Sequence, residues 1–364
     1  MALHCGIVGL PNVGKSTLFN ALSTGKAEAA NRPFCTIEPN LGVTFVPDQR
    51  LNILEEIVKP QKLIPTTMEF VDIAGLVKGA SRGEGLGNKF LANIREVDAI
   101  IHVVRCFNDL NVAHVAGDIN PVFDKEIIDA ELQIKDLESI EKKISKVEKI
   151  AKTGDAKARK TLASLLMFKD NLENGKSIRD IEISEEDAQA VEDLQLLTGK
   201  PVIYVLNVDE DSIHTDNEYV NRFKEAIKDE KAGIVKVSAS LESQIAELEE
   251  EERAEFLAEY GLEESGLAQL IRASYALLNL ITFFTAGPKE VKAWTIEKGW
   301  KAPQAAGVIH TDFQKGFIKA EVIKLKDYEQ YKSEAACRDA GKISIEGKEY
   351  IVEDGDIMHF RFNV

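Results

Sequence analysis

The residues best suited to chemistry lie near the beginning of this 364-residue sequence, in the stretch GIVGLPNVGKST at 6–17. Gly9 to Ser16 fits the pattern G-x-x-x-x-G-K-[ST], whose backbone N–H groups surround phosphate oxygens where a strand leads into a helix. In this pattern Lys15 reaches the β- and γ-phosphates, and the Ser16 hydroxyl binds Mg²⁺. The other expected members of the phosphate site are Asn12, Val13, Gly14 and Thr17, with the helix proper starting at Thr17. The pattern predicts a nucleotide-binding site.

Further Mg²⁺ and γ-phosphate contacts are predicted by two later motifs. DIAG has the form D-x-x-G after an apolar strand, so we expect Asp72 to hold Mg²⁺ through water and the Gly75 N–H to meet the γ-phosphate. Thr36, in the turn-rich stretch RPFCTIEPN, has the position of a switch threonine that adds a second hydroxyl to Mg²⁺. An ordinary loop threonine remains the alternative for Thr36.

Base recognition is expected where two later strands end, at NVDE (207–210) and SAS (238–240). Compared with the guanine-reading motif N-K-x-D, Val208 replaces Lys and Glu210 replaces Asp. Adenine offers N1 as an acceptor, so a carboxylate in the guanine-reading position would face a lone pair. Glu210 is one methylene longer and can swing aside, while the Asn207 amide can donate and accept at the base edge. The expected base contacts are Leu206, Asn207, Glu210, Ser238 and Ala239. We therefore expect a preference for ATP, with relaxed ATP/GTP use or retained guanine selectivity as alternatives.

The group that orients the attacking water is not obvious from the sequence. Leu76 follows D-x-x-G, where Ras-type sites have glutamine, and leucine cannot orient water. His114, in the loop after the strand at 98–104, is the best internal candidate, although a lone histidine often has a structural role. Lys15, Thr36, Gly75 and His114 form the expected catalytic set, and we expect slow intrinsic hydrolysis.

Charge and composition restrict where the protein works and what it contacts. The net charge is −16, yet it is segregated: 142–160 carries +6, whereas 241–264 carries −9. A basic face can therefore still bind a phosphate backbone. No apolar run approaches the roughly 20 residues that span a bilayer, and the four cysteines lack C-x-x-C spacing. We expect a cytoplasmic protein with reduced thiols and no membrane partner.

The hydrophobic pattern places these motifs on a mostly parallel α/β sheet. Apolar runs at 3–8, 68–73, 98–104, 202–206 and 234–237 read as buried strands separated by helical patterns. The long interval from 106 to 200 contains two stretches of near-heptad spacing around a turn at 153–155, which predicts an antiparallel helical hairpin. A third amphipathic stretch covers 185–197. From about 281, aromatic and β-branched residues alternate with polar ones, typical of a small α+β domain.

Taken together, these five motifs, the helical insertion and the C-terminal segment resemble the YchF (Obg-like ATPase) family of translation-factor-class P-loop NTPases over essentially the whole chain. The resemblance implies a Ras-like nucleotide domain at 1–127 and 200–280, an α-helical coiled-coil domain at 128–199, and a C-terminal TGS domain of ubiquitin-like fold at 281–364. It also implies Mg²⁺-dependent ATP hydrolysis and association with the ribosome, either the large subunit or the 70S particle.

A nucleic-acid partner is expected from two segments. The +6 stretch at 142–160 lies at the expected hairpin tip, and the segment 286–329 interleaves lysines with Trp294, Trp300, Phe313 and Phe317. Basic charge beside aromatic rings suits phosphate contact and base stacking. We expect binding to ribosomal RNA or ribosomal protein; a solvated hairpin tip and core aromatics are the alternatives. A metabolic phosphotransferase and a non-catalytic protein-binding module remain as competing functions.

Overall fold

The structure is a computed structural model that describes residues 4–24, 41–73, 86–109 and 118–363. Within these residues, two six-stranded sheets contain all twelve strands. The strands are β1 (His4–Val8), β2 (Leu41–Phe45), β3 (Lys62–Ile64), β4 (Thr67–Asp72), β5 (Ala99–Arg105), β6 (Val202–Asn207), β7 (Gly233–Val237), β8 (Leu280–Ala286), β9 (Glu290–Glu297), β10 (Phe317–Lys324), β11 (Ile343–Glu346) and β12 (Asp356–Phe362).

Fourteen α-helices accompany the sheets in the described part of the chain. They are α1 (Lys15–Thr24), α2 (Gln49–Val58), α3 (Leu86–Glu96), α4 (Pro121–Ala151), α5 (Ala156–Glu173), α6 (Glu185–Val191), α7 (Glu218–Ala226), α8 (Ala239–Glu247), α9 (Glu250–Glu259), α10 (Gly266–Leu277), α11 (Ala302–Ile309), α12 (Thr311–Lys315), α13 (Leu325–Tyr331) and α14 (Glu334–Asp339). None of the helices in the described ranges is long and apolar enough to cross a membrane.

The first sheet confirms the predicted α/β class. Its order is β2-β4-β1-β5-β6-β7, and all neighbouring pairs are parallel except the edge pair β2 and β4. Strand β5 is buried along its whole length, and so is β6, as expected for parallel strands covered on both faces. The carboxyl ends of these strands therefore meet at one edge, where ligands bind in such folds.

The predicted helical hairpin is present as α4 and α5. Asn120 caps α4 by accepting from Phe123 N–H at 3.2 Å, and Asp155 caps α5 by accepting from Ala158 N–H at 2.8 Å. The chain reverses at Gly154, whose φ of 95° favours glycine. The hairpin has its own small core, formed by Ile140, Leu165, Phe168, Leu172, Ile178, Val191 and Leu196. The third predicted helix is shorter than expected, because α6 ends at Val191 and continues in 3₁₀ turns at Glu192–Leu194 and Leu197–Gly199.

Buried polar contacts fix the base of this hairpin. Asp136, which is fully buried on α4, accepts from Leu197 N–H at 2.9 Å, Thr198 N–H at 2.8 Å and the Thr198 hydroxyl at 2.7 Å. Lys125, also on α4, pairs with Glu230 at 2.7 Å, just before β7. Buried polar groups are tolerated when they are bonded in this way. The hairpin therefore emerges from the first sheet as a fixed arm.

The second sheet has the order β11-β10-β12-β8-β9-β3. Its last strand, β3, comes from a distant part of the chain and pairs in parallel with β9, Leu63 opposite Val291. Leu51 and Leu54 of α2 enter the same core as Phe284. Residues 48–64 therefore join the C-terminal sheet although they lie between two strands of the first sheet.

The aromatic residues expected to stack on bases lie mostly in the core of this second sheet. Phe317 is 5% exposed, and Trp294, Trp300 and Phe313 pack partly buried against the same cluster. The expectation that Phe317 stacks on bases is wrong, because its ring packs edge-on against Phe360 at 6.2 Å. Aromatic rings alternating on a strand pack inward to fill a small core.

Candidate nucleotide site

The phosphate loop lies between β1 and α1, and the space around two of its glycines leaves no room for a side chain. Gly14 has φ 93°, and a side-chain carbon there would lie 2.2 Å from the Asn207 amide nitrogen. A side-chain carbon on Gly9 would lie 2.8 Å from the Val103 carbonyl oxygen of β5. The predicted helix start at Thr17 is wrong by two residues, because the Gly14 carbonyl already accepts from Leu18 N–H at 3.0 Å. The loop backbone is thus pressed against β5 and β6, with α1 directed at it.

The predicted phosphate lysine and metal carboxylate face each other. The Lys15 ammonium forms an ion pair with Asp72 at the end of β4; the lysine side chain is 10% exposed and the carboxylate 20%. Asp72 is placed there by the parallel pairing of β4 with β1, where it lies opposite Ile7. The structure therefore brings Lys15 and Asp72 together at the start of α1, where Ser16 is the second helical residue.

Asn207 joins the phosphate loop to the loop that follows β7. Its side-chain nitrogen donates to the Val13 carbonyl at 2.9 Å, and its side-chain oxygen accepts from Ala239 N–H at 2.9 Å. Asn207 is only 4% exposed. The sequence suggested that this amide faces a base edge; the structure instead directs both of its polar atoms at backbone groups, because β6 ends directly behind the loop. Asn207 acts here as a brace.

Glu210, which the sequence predicts to contact the base, lies in a 3₁₀ turn just after β6, and its carboxylate belongs to a small polar group. Its Oε1 accepts from the Ser240 hydroxyl at 3.2 Å and from Gln244 at 3.3 Å. Ser238 and Leu206 are fully buried. Val208, which replaces the lysine of N-K-x-D, is 2% exposed and packs in the core instead of covering a ring. Leu206, Ser238 and Val208 therefore expose almost no surface, and the base contacts expected of Leu206 and Ser238 stay predictions.

Arg105, at the end of β5, was missed by the sequence reasoning. It is 1% exposed, lies opposite Asn207 in the sheet, and donates to the Phe107 and Asp109 carbonyls at 3.2 Å each. Its guanidinium lies 4.5 Å from the centre of the Phe107 ring, and burial lowers its pKa from the usual value. The sequence did contain a signal for this residue, because a charged side chain directly follows the run AIIHVV. A buried arginine is rare unless it has partners. Arg105 fixes how the chain leaves β5.

Four predicted residues lie outside the described residues: Thr36, Gly75, Leu76 and His114. Their roles stay predictions. Among the described cysteines, Cys5, Cys106 and Cys337 are free and buried, and burial raises the pKa of both Cys5 and Cys106 to about 12. These two thiols are therefore protonated and unreactive at neutral pH.

Comparison with known proteins places this site in a family. Residues 4–149 match the family model described as "50S ribosome-binding GTPase", and residues 280–363 match YchF-GTPase_C, described as a protein of unknown function. Proteins named "Ribosome-binding ATPase YchF" from Pasteurella multocida and Escherichia coli O157:H7 are each 57% identical over 364 residues, all of both chains. The relative with the same name from Bacillus subtilis is 54% identical over 366 residues, again with full coverage.

A solved structure supports the same grouping. The fold is similar to that of the Schizosaccharomyces pombe YchF GTPase, with a TM-score of 0.90 and 41% identity, covering 99% of this chain and 97% of that one. The phosphate loop, the Lys15–Asp72 pair and the substituted base-reading motif all lie within the matched length. The chain belongs to the YchF family of P-loop NTPases.

Proposed function

We propose that this protein is a cytoplasmic, Mg²⁺-dependent ATPase that acts as a slow nucleotide switch on the ribosome. The observation that carries the proposal is the pairing of a complete phosphate loop with Lys15 and Asp72 in a chain whose relatives are full-length YchF proteins. In this role Lys15 binds the β- and γ-phosphates. Its ammonium leaves Asp72 because the phosphates carry more negative charge than a single carboxylate. Asn12, Val13, Gly14 and Thr17 line the same phosphates.

ATP is the proposed nucleotide because the guanine-reading pair is absent. The Glu210 carboxylate accepts hydrogen bonds from Ser240 and Gln244, so it is not free to accept from the guanine N1–H and amino group. The relatives' names differ on the nucleotide, since the bacterial proteins are named ATPases and the fission-yeast protein a GTPase. A GTP-hydrolysing switch with relaxed base selectivity is the second candidate.

Mg²⁺ is the proposed metal because the oxygen ligands fit it. The Ser16 hydroxyl and the Asp72 carboxylate are hard donors of the kind that Mg²⁺ takes together with phosphate oxygens and water, and Asp72 already faces a cation, the Lys15 ammonium. No group of three or more His, Cys, Asp or Glu in the described ranges could hold a metal ion by itself. When bound, Mg²⁺ neutralises charge on the phosphates. The Thr36 hydroxyl is the further proposed Mg²⁺ ligand, and the Gly75 N–H is the proposed donor to the γ-phosphate.

The hairpin is the proposed contact with ribosomal RNA. Lys142, Lys146, Lys149 and Lys157 are exposed, and no ion pair involves them within the described chain. Lys143 differs, because it pairs with Asp193. Free surface cations neutralise phosphates and release counterions, so binding through them weakens steeply with salt. Replacing Lys142, Lys146 and Lys149 by Gln should reduce the salt slope of ribosome binding by up to about 0.9 per lost duplex phosphate contact.

The decisive experiment for the switch measures phosphate release from ATP with and without ribosomes. The proposal expects slow turnover alone and a changed rate with ribosomes. Ribosome binding that is identical with ATP, with ADP and without nucleotide would contradict a switch. The Lys142/Lys146/Lys149 variant should hydrolyse ATP normally without ribosomes, because these lysines lie on the hairpin and not at the phosphate loop.

A further inference from the structure

The turn that carries Glu210 has a fixed backbone. Asp209 caps the 3₁₀ turn Glu210–Ser212 by accepting from the Ser212 N–H at 2.9 Å. The Asn217 side-chain amide donates to the Cys106 carbonyl at 2.7 Å and to the Ser212 hydroxyl at 3.2 Å, which joins the turn to the residue after β5. With its backbone held in this way, the Glu210 carboxylate can move only by rotation of its own side chain.

Two side chains of α8 hold this carboxylate. The Ser240 hydroxyl donates to Glu210 Oε1 at 3.2 Å, and the Gln244 side-chain amide donates to the same oxygen at 3.3 Å. Ser240 and Gln244 are four residues apart and therefore share one face of the helix. The Ser240 hydroxyl is itself hydrogen-bonded to the buried Ser238 hydroxyl at 2.9 Å. The carboxylate thus lies against the first turns of α8, where the helix dipole also favours a negative charge.

The end of α9 is attached to the same turn. The His214 ring, two residues after the turn, donates from Nε2 to the Tyr260 carbonyl at 2.6 Å. The Tyr260 hydroxyl lies near Glu210, because partial burial and the charges of Glu210 and Glu259 raise the pKa of this hydroxyl. Helices α8 and α9 therefore both contribute groups around one carboxylate.

The direction of this carboxylate matters to only one of the two bases. In N-K-x-D, the carboxylate three residues after the asparagine accepts from the guanine N1–H and amino group. Asn207 is fixed by its bonds to Val13 and Ala239, and Glu210, three residues later, takes the place of that aspartate in the sequence. Adenine offers a lone pair at N1 instead of a donor. A Glu210 carboxylate that turned towards the base would therefore gain hydrogen bonds from GTP and none from adenine N1.

We propose that Ser240 and Gln244 are specificity-determining residues, which favour ATP by holding the Glu210 carboxylate on α8 and away from the guanine-reading position. GTP must break these two hydrogen bonds before the carboxylate can accept from its base, whereas ATP leaves them intact. The choice of nucleotide thus depends in part on Gln244, which lies outside both base-reading motifs. This inference deepens the proposed function and rests on its preference for ATP.

The first test changes the hold on Glu210 in opposite directions at one position. In Gln244→Glu the donor is lost and the new carboxylate repels Glu210, so the ratio of ATP affinity to GTP affinity should fall by at least about fivefold. This change equals about 1 kcal/mol, the worth of one hydrogen bond. Gln244→Lys supplies a cation for Glu210, so its ratio should stay at or above the wild-type value.

Isothermal titration calorimetry with Mg²⁺ and each nucleotide measures these ratios. Any general effect of the new charge on the phosphates cancels in the ratio, because ATP and GTP carry the same phosphates. Gln269→Glu adds the same charge at an exposed glutamine on α10 and should keep the ratio within about twofold of wild type, because salt screens exposed charges. A ratio in Gln244→Glu that also stays within this range would overturn the proposal.

The second test asks whether the effect passes through the Glu210 carboxylate. Ser240→Ala should lower the ratio in the same direction as Gln244→Glu. Combined with Glu210→Ala, neither substitution should change the ratio by more than about twofold, because no carboxylate remains to be released. Both α8 side chains are exposed, and far-UV circular dichroism checks that the variants are folded. A fivefold fall that persisted without Glu210 would refute the role of the carboxylate.

These measurements distinguish the inference from the proposed function. The wild-type ratio tests the preference for ATP, whereas the change of the ratio in the variants tests the role of α8. If the wild-type protein bound GTP tenfold more tightly than ATP, the proposed nucleotide would be wrong. The shift in Gln244→Glu would then still decide whether α8 restrains Glu210.

Discussion

Replacing Asn207 by alanine tests whether this residue braces the loops or reads the base. The change removes the donor to the Val13 carbonyl and the acceptor for Ala239 N–H, both at 2.9 Å. Two buried backbone groups then lack partners, at a cost of about 1–3 kcal/mol each. Part of this cost falls on the bound state, since the phosphate loop must keep its shape to surround a nucleotide. We expect ATP and GTP affinities each to fall by at least about tenfold, or 1.4 kcal/mol.

The ratio of the ATP affinity to the GTP affinity distinguishes a brace from a residue that reads the base. A brace acts on the phosphate loop, which both nucleotides share, so the ATP:GTP ratio should stay within about twofold of wild type. Isothermal titration calorimetry with both nucleotides measures it, and Asn221→Ala, an exposed asparagine on α7, is the matched control. Glu210→Asp provides the contrast, because it should shift the ratio towards GTP. A tenfold change of the ratio in Asn207→Ala would show that its amide reads the base.

Three further predictions concern the hairpin and the sheet. Asp136→Ala should loosen the base of the hairpin by about 1–3 kcal/mol for each buried donor that loses its acceptor, seen as faster hydrogen exchange at the Leu197 and Thr198 amides; wild-type protection there would contradict the anchoring role. Burial lowers the pKa of His102 from 6.5 to about 4, so between these values the unfolded chain takes up a proton that the folded chain does not, and stability falls as pH falls. At about pH 5 this loss of unfolding free energy amounts to about 2 kcal/mol relative to neutral pH. Hydrogen exchange of the β5 amides should therefore become faster at pH 5 in the wild type but not in His102→Gln. Equal pH dependence of exchange in the two proteins would refute the role of His102. Lys143→Gln should change ribosome binding less than Lys149→Gln, because Asp193 already neutralises Lys143; salt titrations compare them, and the reverse order would count against the hairpin contact.

The strands and helices of the nucleotide domain could be predicted well because the sequence patterns that indicate them each lie within a short stretch of chain. The phosphate loop, the strands β1, β4, β5, β6 and β7 and the hairpin all follow from periodicity and glycine placement within a few turns of chain. The prediction that β7 is buried was wrong in part, because β7 is an edge strand and Ile234 is 37% exposed. The short edge strand β2 escaped notice, since five residues with mixed burial give little signal. The helix start was misplaced by two residues, as often happens where a loop carbonyl already accepts a helical bond.

The remaining features depend on contacts between distant parts of the chain. Strand β3 has three residues and exists only because β9, more than two hundred residues later, pairs with it. The direction of the Asn207 amide is set by the approach of β6 to the phosphate loop, and the burial of Phe317 by the packing of the second sheet. Neither the composition of these segments nor their spacing contains that information, because packing overrides local preference. Of these features, Arg105 alone was indicated by the local sequence, as a charged residue at the end of a strand that is apolar except for His102.

The most direct test of the central claim is a competition experiment in which wild-type protein and Lys15→Ala each meet equal concentrations of ATP and GTP with Mg²⁺. The account predicts that the wild type consumes ATP at least as fast as GTP. It also predicts that Lys15→Ala consumes neither, since it loses about 1.5–3 kcal/mol of charge-assisted bonding to the phosphates. Consumption of GTP tenfold faster than ATP would contradict the proposed nucleotide, and wild-type turnover by Lys15→Ala would contradict the site itself.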